Sequence, residues 1–249
     1  QVEAINRDRL KTNEMLLQNT VTRSLADDLS QHERSQRMML ANLSSAIQVA
    51  SGGDIGEKNI ESPELRALLE NFVSSSDEIA YATLLNSEAK GISAGRIAPD
   101  AFLQRELEHA YTAARDGRAY NGQALVVGEG KAARTIFLVS APVQYEERFL
   151  GMIASVVDLQ FLIRRLREVS GGGLTPYVVD SQGRLVAAAT PEFATGQDMK
   201  NLEIVRTFVE GGNKAQFAET REFNMNVGSE KIEMLGTYSP VQSLNWAVV

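Results

Sequence analysis

The sequence predicts an α+β fold: a long N-terminal helix followed by two tandem modules, each an antiparallel sheet covered by helices. Three observations carry this. Residues 10–50 contain neither Pro nor Gly and repeat apolar side chains at helical spacing. Runs of strand formers separated by turn residues dominate the chain beyond Gly117. The order of elements then restarts after Gly171-Gly172-Gly173, since three consecutive glycines support neither helix nor strand.

The first helix carries Leu10, Leu17, Val21, Leu25, Leu29, Leu40, Leu43 and Ile47 on one stripe, interrupted by His32 and Gln36. Ser51-Gly52-Gly53 closes it, because Gly adopts the left-handed conformation found at helix C-termini. About 45 residues at 1.5 Å each reach on the order of 65 Å, so a projecting stalk is expected over residues 1–53. Ser62-Pro63 then starts a second helix whose apolar face is Leu65, Leu68, Leu69, Phe72 and Val73. A strand over 79–85 ends in a turn at 86–91, and a helix over 99–115 ends at Gly117. Strands at 123–127, 135–143 and 149–157 and a linking helix at 158–169 complete a first module, 54–170. The second module, 171–249, repeats the plan: strand and turn at 176–184, helix at 201–210, strands at 215–223, 231–239 and 245–249. Leu84-Leu85-Asn86-Ser87 pairs with Val178-Val179-Asp180-Ser181, and Ser140-Ala141-Pro142 with Tyr238-Ser239-Pro240. Ser87 to Pro142 spans 55 positions and Ser181 to Pro240 spans 59, which makes an internal repeat.

Composition narrows the function. The 249 residues hold 32 acids against 25 bases, a net charge of -7, so nucleic acid is not expected as a partner. With no Cys and only His32 and His109, thiolate or imidazole-pair metal sites have nothing to build on, and no metal or cofactor is expected. The apolar run at 149–157 falls far short of the ~20 residues that span a bilayer. Gln1 runs straight into helical sequence and 244–249 stops inside a strand pattern, so the expectation is an excised piece that transmembrane helices could flank.

Several motifs imitate chemistry. Gly91-Ile92-Ser93-Ala94-Gly95 has the form of a hydrolase nucleophile elbow, but only His109 follows, with no carboxylate suitably placed between, so small residues in a turn is the favoured reading. Gly128-Glu129-Gly130-Lys131-Ala132-Ala133 imitates a dinucleotide fingerprint, yet strand formers follow where a helix is required; a hairpin turn is expected. Asp180-Ser181-Gln182-Gly183 imitates a calcium loop without its later ligands, so a tight turn is expected. Arg164, Arg165 and Arg167 read as a solvated basic face. His32 reads as a packed residue rather than a switch near neutral pH.

This order of elements resembles the double Cache (tandem PDC, PAS-like) extracytoplasmic sensor domain of bacterial transmembrane receptors, over nearly the whole chain. The likeness rests on the long leading helix, on Ser140-Ala141-Pro142-Val143 followed by 150–159, and on Ser239-Pro240-Val241 followed by 245–249. It implies a periplasmic domain held by flanking transmembrane helices, with a small molecule bound in the membrane-distal first module and a cytoplasmic output of chemotaxis, kinase or cyclase type. By the resemblance, Asp158 matches the carboxylate that holds an ammonium group in amino-acid-binding members. Residues 117–121 have no Trp, however, and Leu125 and Val127 stand where Tyr and Asp are expected, which leaves the ligand class open between organic acids, amines and similar molecules.

A small-ligand pocket needs an apolar lining with a few convergent polar groups. In the first module Tyr81 and Thr83 alternate on one strand face, Arg118, Tyr120 and Gln123 follow the long helix, and Ser140 and Asp158 end two adjacent strands. An Arg fork suits a carboxylate, and Asp158 an amine or hydroxyl. The expected assembly is a homodimer through the N-terminal helix stripe. Two rival readings remain: a serine hydrolase using Ser93, and a scaffold or adhesion module with no ligand.

Overall fold

The computed structural model describes residues 2–127, 134–212, 217–227 and 230–249. The chain divides into two compact units, Gln1–Glu33 with Leu162–Val249, and Arg34–Phe161. Helix α1 (Val2–Ser51) contributes to both. No helix among the described residues is long and apolar enough to cross a membrane.

Burial along α1 corrects the expected stripe. Leu10 and Leu17 are 70% and 50% exposed, and Glu33 rather than His32 occupies the buried line. One buried line runs through Thr22, Ala26, Leu29, Glu33, Gln36, Leu40, Leu43 and Ile47, with Leu25 and Ser44 buried beside it. Their alternation of four and three residues follows the helical period, so they share one face of α1. In the unit of residues 1–33 and 162–249, α1 is also fixed by polar contacts to the sheet. Ser239 Oγ donates to Thr22 Oγ1 at 2.9 Å and Asn19 Nδ2 to Thr220 Oγ1 at 3.1 Å.

The unit of residues 34–161 adds α2 (Pro63–Ser74) and α3 (Ala101–Arg115) to strands β1 (Ile79–Asn86), β2 (Gly91–Gly95), β3 (Tyr120–Asn121), β4 (Leu125–Val127), β5 (Arg134–Tyr145) and β6 (Arg148–Asp158). Ser62 Oγ accepts from Leu65 N, and Asp100 accepts from Phe102 N and Leu103 N, so both helices start on side-chain caps. The antiparallel sheet runs β2-β1-β6-β5-β3, with β4 also on β5. Residues 91–95, expected as a turn, form strand β2: a Cβ on Gly91 would stand 1.8 Å from Leu84 O, so glycine there permits close pairing with β1. Residues 128–133, which hold the dinucleotide look-alike, lie outside the described residues.

Helix α4 (Gln160–Val169) straddles the division between the units. The unit that contains the chain's last residues holds β7 (Tyr177–Val179), β8 (Leu185–Ala188), α5 (Glu203–Gly211), β9 (Glu219–Val227), β10 (Glu230–Val241) and β11 (Trp246–Val248), in the order β8-β7-β11-β10-β9. Ile204, Val205 and Phe208 of α5 pack on Phe223 and Tyr238, the Phe208 and Tyr238 rings 5.5 Å apart. The two sheets thus share one plan, a leading hairpin laid beside the last strand. The repeat extends to its first corner. Asn86 Oδ1 accepts from Glu88 N and Lys90 N at 2.9 and 3.0 Å, and Asp180 Oδ1 accepts from Gln182 N and Arg184 N, both at 2.9 Å. Asp180 Oδ2 meets Arg184 Nε at 2.9 Å, so both carboxylate oxygens belong to this tight turn.

Candidate functional site

Directly opposed residues on neighbouring strands share a sheet face. In the first sheet Tyr81 opposes Val156, Thr83 and Ser140 both oppose Ala154, Tyr120 opposes Ser140, and Ile136 opposes Asp158. Val156 and Ala154 pack with Leu103, Ala110 and Ala114 of α3. Five of the seven residues singled out from the sequence, Tyr81, Thr83, Tyr120, Ser140 and Asp158, therefore lie on the face that α3 covers.

Their chemistry differs. Tyr81 is 8% exposed within the apolar cluster. Thr83 Oγ1 donates to Ile92 O at 3.0 Å, which commits it to the sheet. Ser140 is 4% exposed and its Oγ has no hydrogen-bond partner among the described residues. A buried hydroxyl left without a partner costs free energy, so it is a point at which a ligand gains by supplying one.

Tyr120 donates its hydroxyl to Glu106 Oε2 at 3.0 Å. Burial, followed by the Glu106 charge and this hydrogen bond, pushes the Tyr120 pKa up to about 12. Glu106 was not singled out from the sequence. It is a buried carboxylate in α3 whose Oε2 also accepts from Gln123 N at 3.1 Å, with His109 Nδ1 3.6 Å from Oε1. The signal was present: Glu106 sits three residues after Leu103 and four before Ala110, inside the apolar stripe. A Cβ at position 122 would stand 2.5 Å from Glu106 Oε2, so Gly122 lets the chain pass over the carboxylate.

Asp158 is 3% exposed, and its carboxylate is already engaged. Arg134 Nη1 donates to Oδ2 at 2.7 Å, and Gln160 N donates to Oδ1 at 2.9 Å, capping the start of α4. The charge available at this end of the face is thus the half-exposed Arg134 guanidinium, which spacing along the chain did not reveal. Arg118 and Gln123 have exposed side chains; Arg118 pairs locally with Asp116 at 2.9 Å, and only the Gln123 backbone joins the cluster.

Ser93 lies within strand β2 rather than on a strand-to-helix elbow. The face that remains combines aromatic and aliphatic walls with a Tyr–Glu pair, a free hydroxyl and an Arg–Asp pair. Groups of these kinds are the ones that small-ligand sites use to orient a polar molecule.

A family model described as Cache domain matches residues 4–249. The chain belongs to the Cache domain family. Among solved structures, the Cache fold of this chain is similar to the sensory domain of the Campylobacter jejuni chemoreceptor Tlp3 with isoleucine bound, at TM-score 0.68 and 14% identity over 96% of this chain and 93% of that one. It is also similar to the ligand-binding domain of the Pseudomonas aeruginosa chemoreceptor PctC in complex with GABA, at TM-score 0.63 and 16% identity over 92% and 95%. The ligand-binding domain of Pseudomonas fluorescens CtaA in complex with L-valine matches at TM-score 0.60 and 18% identity over 94% and 96%. At these identities the likeness is one of fold. Among curated protein sequences none matches the chain.

Proposed function

We propose that this Cache chain is the extracytoplasmic sensing domain of a bacterial transmembrane receptor, with a small organic acid or amine held in the module of residues 54–170, on the sheet face beneath α3. The observation that carries the site is Ser140: a buried hydroxyl without a partner among the described residues, opposite Tyr120 and on the same face as Tyr81. Chemoreceptor domains of this fold have been solved with isoleucine, GABA and L-valine bound, which sets the scale of the ligand. The Asp158 carboxylate is neutralised by Arg134, so an ammonium group entering here competes with a guanidinium, whereas a carboxylate adds to it. A homodimer through the part of the α1 stripe that stays exposed, around Leu10 and Leu17, completes the proposal.

The test is a thermal-shift screen of short carboxylates, amino acids and amines. Saturation at 100 times Kd adds about 2.7 kcal/mol, several degrees in Tm. The rise is expected to shrink in Ser140→Val and in Tyr120→Phe. Silence across the panel favours a ligand-free scaffold, and a shift unaffected by both substitutions moves the ligand off this face.

A further inference from the structure

The unit of residues 1–33 and 162–249 contains a cavity of about 380 Å³. One wall is the α5 side of the sheet: Tyr177, Phe193, Met199, Ile204, Phe223 and Met234. Helix α1 supplies Gln18 and Thr22, whose polar atoms are already used. Gln18 Nε2 donates to Leu235 O at 3.2 Å, Thr237 Oγ1 donates to Gln18 Oε1 at 3.0 Å, and Thr22 Oγ1 accepts from Ser239. Tyr177 differs. It is 7% exposed, its ring lies 6.2 Å from that of Phe193, and its hydroxyl has no hydrogen-bond partner among the described residues. Burial raises its pKa, so it stays a neutral phenol with a proton to donate.

Among the described residues no Lys or Arg lines the cavity, and the one acid that does, Glu192, is exposed. Moving an unpaired charge into such a lining costs several kcal/mol, which disfavours a carboxylate, an ammonium or an amino-acid zwitterion. Two Met side chains, Met199 and Met234, make its wall adaptable.

We propose that this cavity is a second ligand site, separate from the α3-covered face, which takes an uncharged, mainly apolar small molecule whose single acceptor group is bound by the Tyr177 hydroxyl. The receptor domain would then read two chemical classes, charged or polar molecules in one module and neutral apolar ones in the other.

Calorimetric titration of the chain with acetophenone, 2-heptanone and methyl benzoate tests this, with benzoate and phenethylammonium as charged counterparts. At least one neutral probe is expected to saturate, with the charged counterparts at least tenfold weaker. Leu202→Trp, at a half-buried residue of the wall, fills the space and is expected to abolish that binding while leaving ligand-induced shifts at the α3-covered face unchanged. Tyr177→Phe removes a hydroxyl that no described residue uses, and should weaken acetophenone about threefold to tenfold. The proposal is overturned by failure of all three neutral probes to saturate, by charged counterparts binding equally, or by affinity unchanged in Tyr177→Phe. Should Leu202→Trp fail to fold, the Tyr177→Phe comparison decides.

Discussion

Replacing Arg134 by Leu tests the central electrostatic feature of the first sheet. Asp158 is 3% exposed and receives two donors, Arg134 Nη1 at 2.7 Å and Gln160 N at 2.9 Å. Removing one partner of a fully buried pair costs about 3–5 kcal/mol, because the remaining charge stays desolvated. Here the Arg134 side chain is 54% exposed, so water can approach the vacated oxygen, and the expected loss falls to about 2 kcal/mol. For a unit of this size that lowers Tm by roughly 5–10 °C. Arg134→Leu with Asp158→Asn removes the charge while keeping an acceptor for Gln160 N, and should recover at least half of the loss. Urea unfolding followed by far-UV circular dichroism measures the cycle. Trp246, the sole Trp, lies in the other unit, so its fluorescence supplies an independent signal. Equal stability of Arg134→Leu and wild type, or strict additivity in the double variant, would refute the reasoning.

Four further outcomes rest on the same geometry. Glu106→Ala leaves the Tyr120 hydroxyl and Gln123 N–H without their acceptor and should destabilise by about 2–3 kcal/mol in urea, with Glu106→Gln costing less. Tyr120 ionises near 12 in the folded chain against an ordinary value near 10, so its contribution is complete below pH 10 and is lost as pH rises to 12; ultraviolet titration of Tyr120→Phe against wild type should remove a late phenolate step. Burial lowers the His32 pKa to about 4, so the unfolded chain binds the proton first and stability falls as pH drops from 6.5 towards 4; His32→Gln should flatten that limb of the urea midpoint against pH. Tyr177→Phe, which removes a hydroxyl that no described residue satisfies, should leave the melting temperature equal or raise it.

Elements with strong periodicity were legible in the sequence: α3 begins within two residues of the expected 99 and ends at the expected 115, and the Ser62 cap and Pro63 start of α2 stand as read. Local signals failed where packing or distant partners decide. Gly91 to Gly95 looks like a turn because glycines are turn formers, but here they give β1 room to pair. Leu10 and Leu17 continue the apolar stripe of α1 yet remain exposed, since periodicity identifies a face and not what covers it. In the site, strand alternation placed Tyr81 and Thr83 on one face, but that Ser140 and Asp158 share it follows from the strand register, which the sequence did not reveal. The roles of those residues stayed hidden, because Arg134 and Glu106 reach their partners 24 and 14 positions away in sequence.

The matched corners at Asn86 and Asp180 have an evolutionary and practical consequence. Both modules open with the same side-chain-closed hairpin, so each hairpin is a portable cassette whose bend travels with its own residues rather than with its surroundings. Grafting one hairpin onto the other sheet should preserve the bend and transfer only the outward-facing chemistry, which offers a route to exchanging recognition surfaces while the framework stays intact.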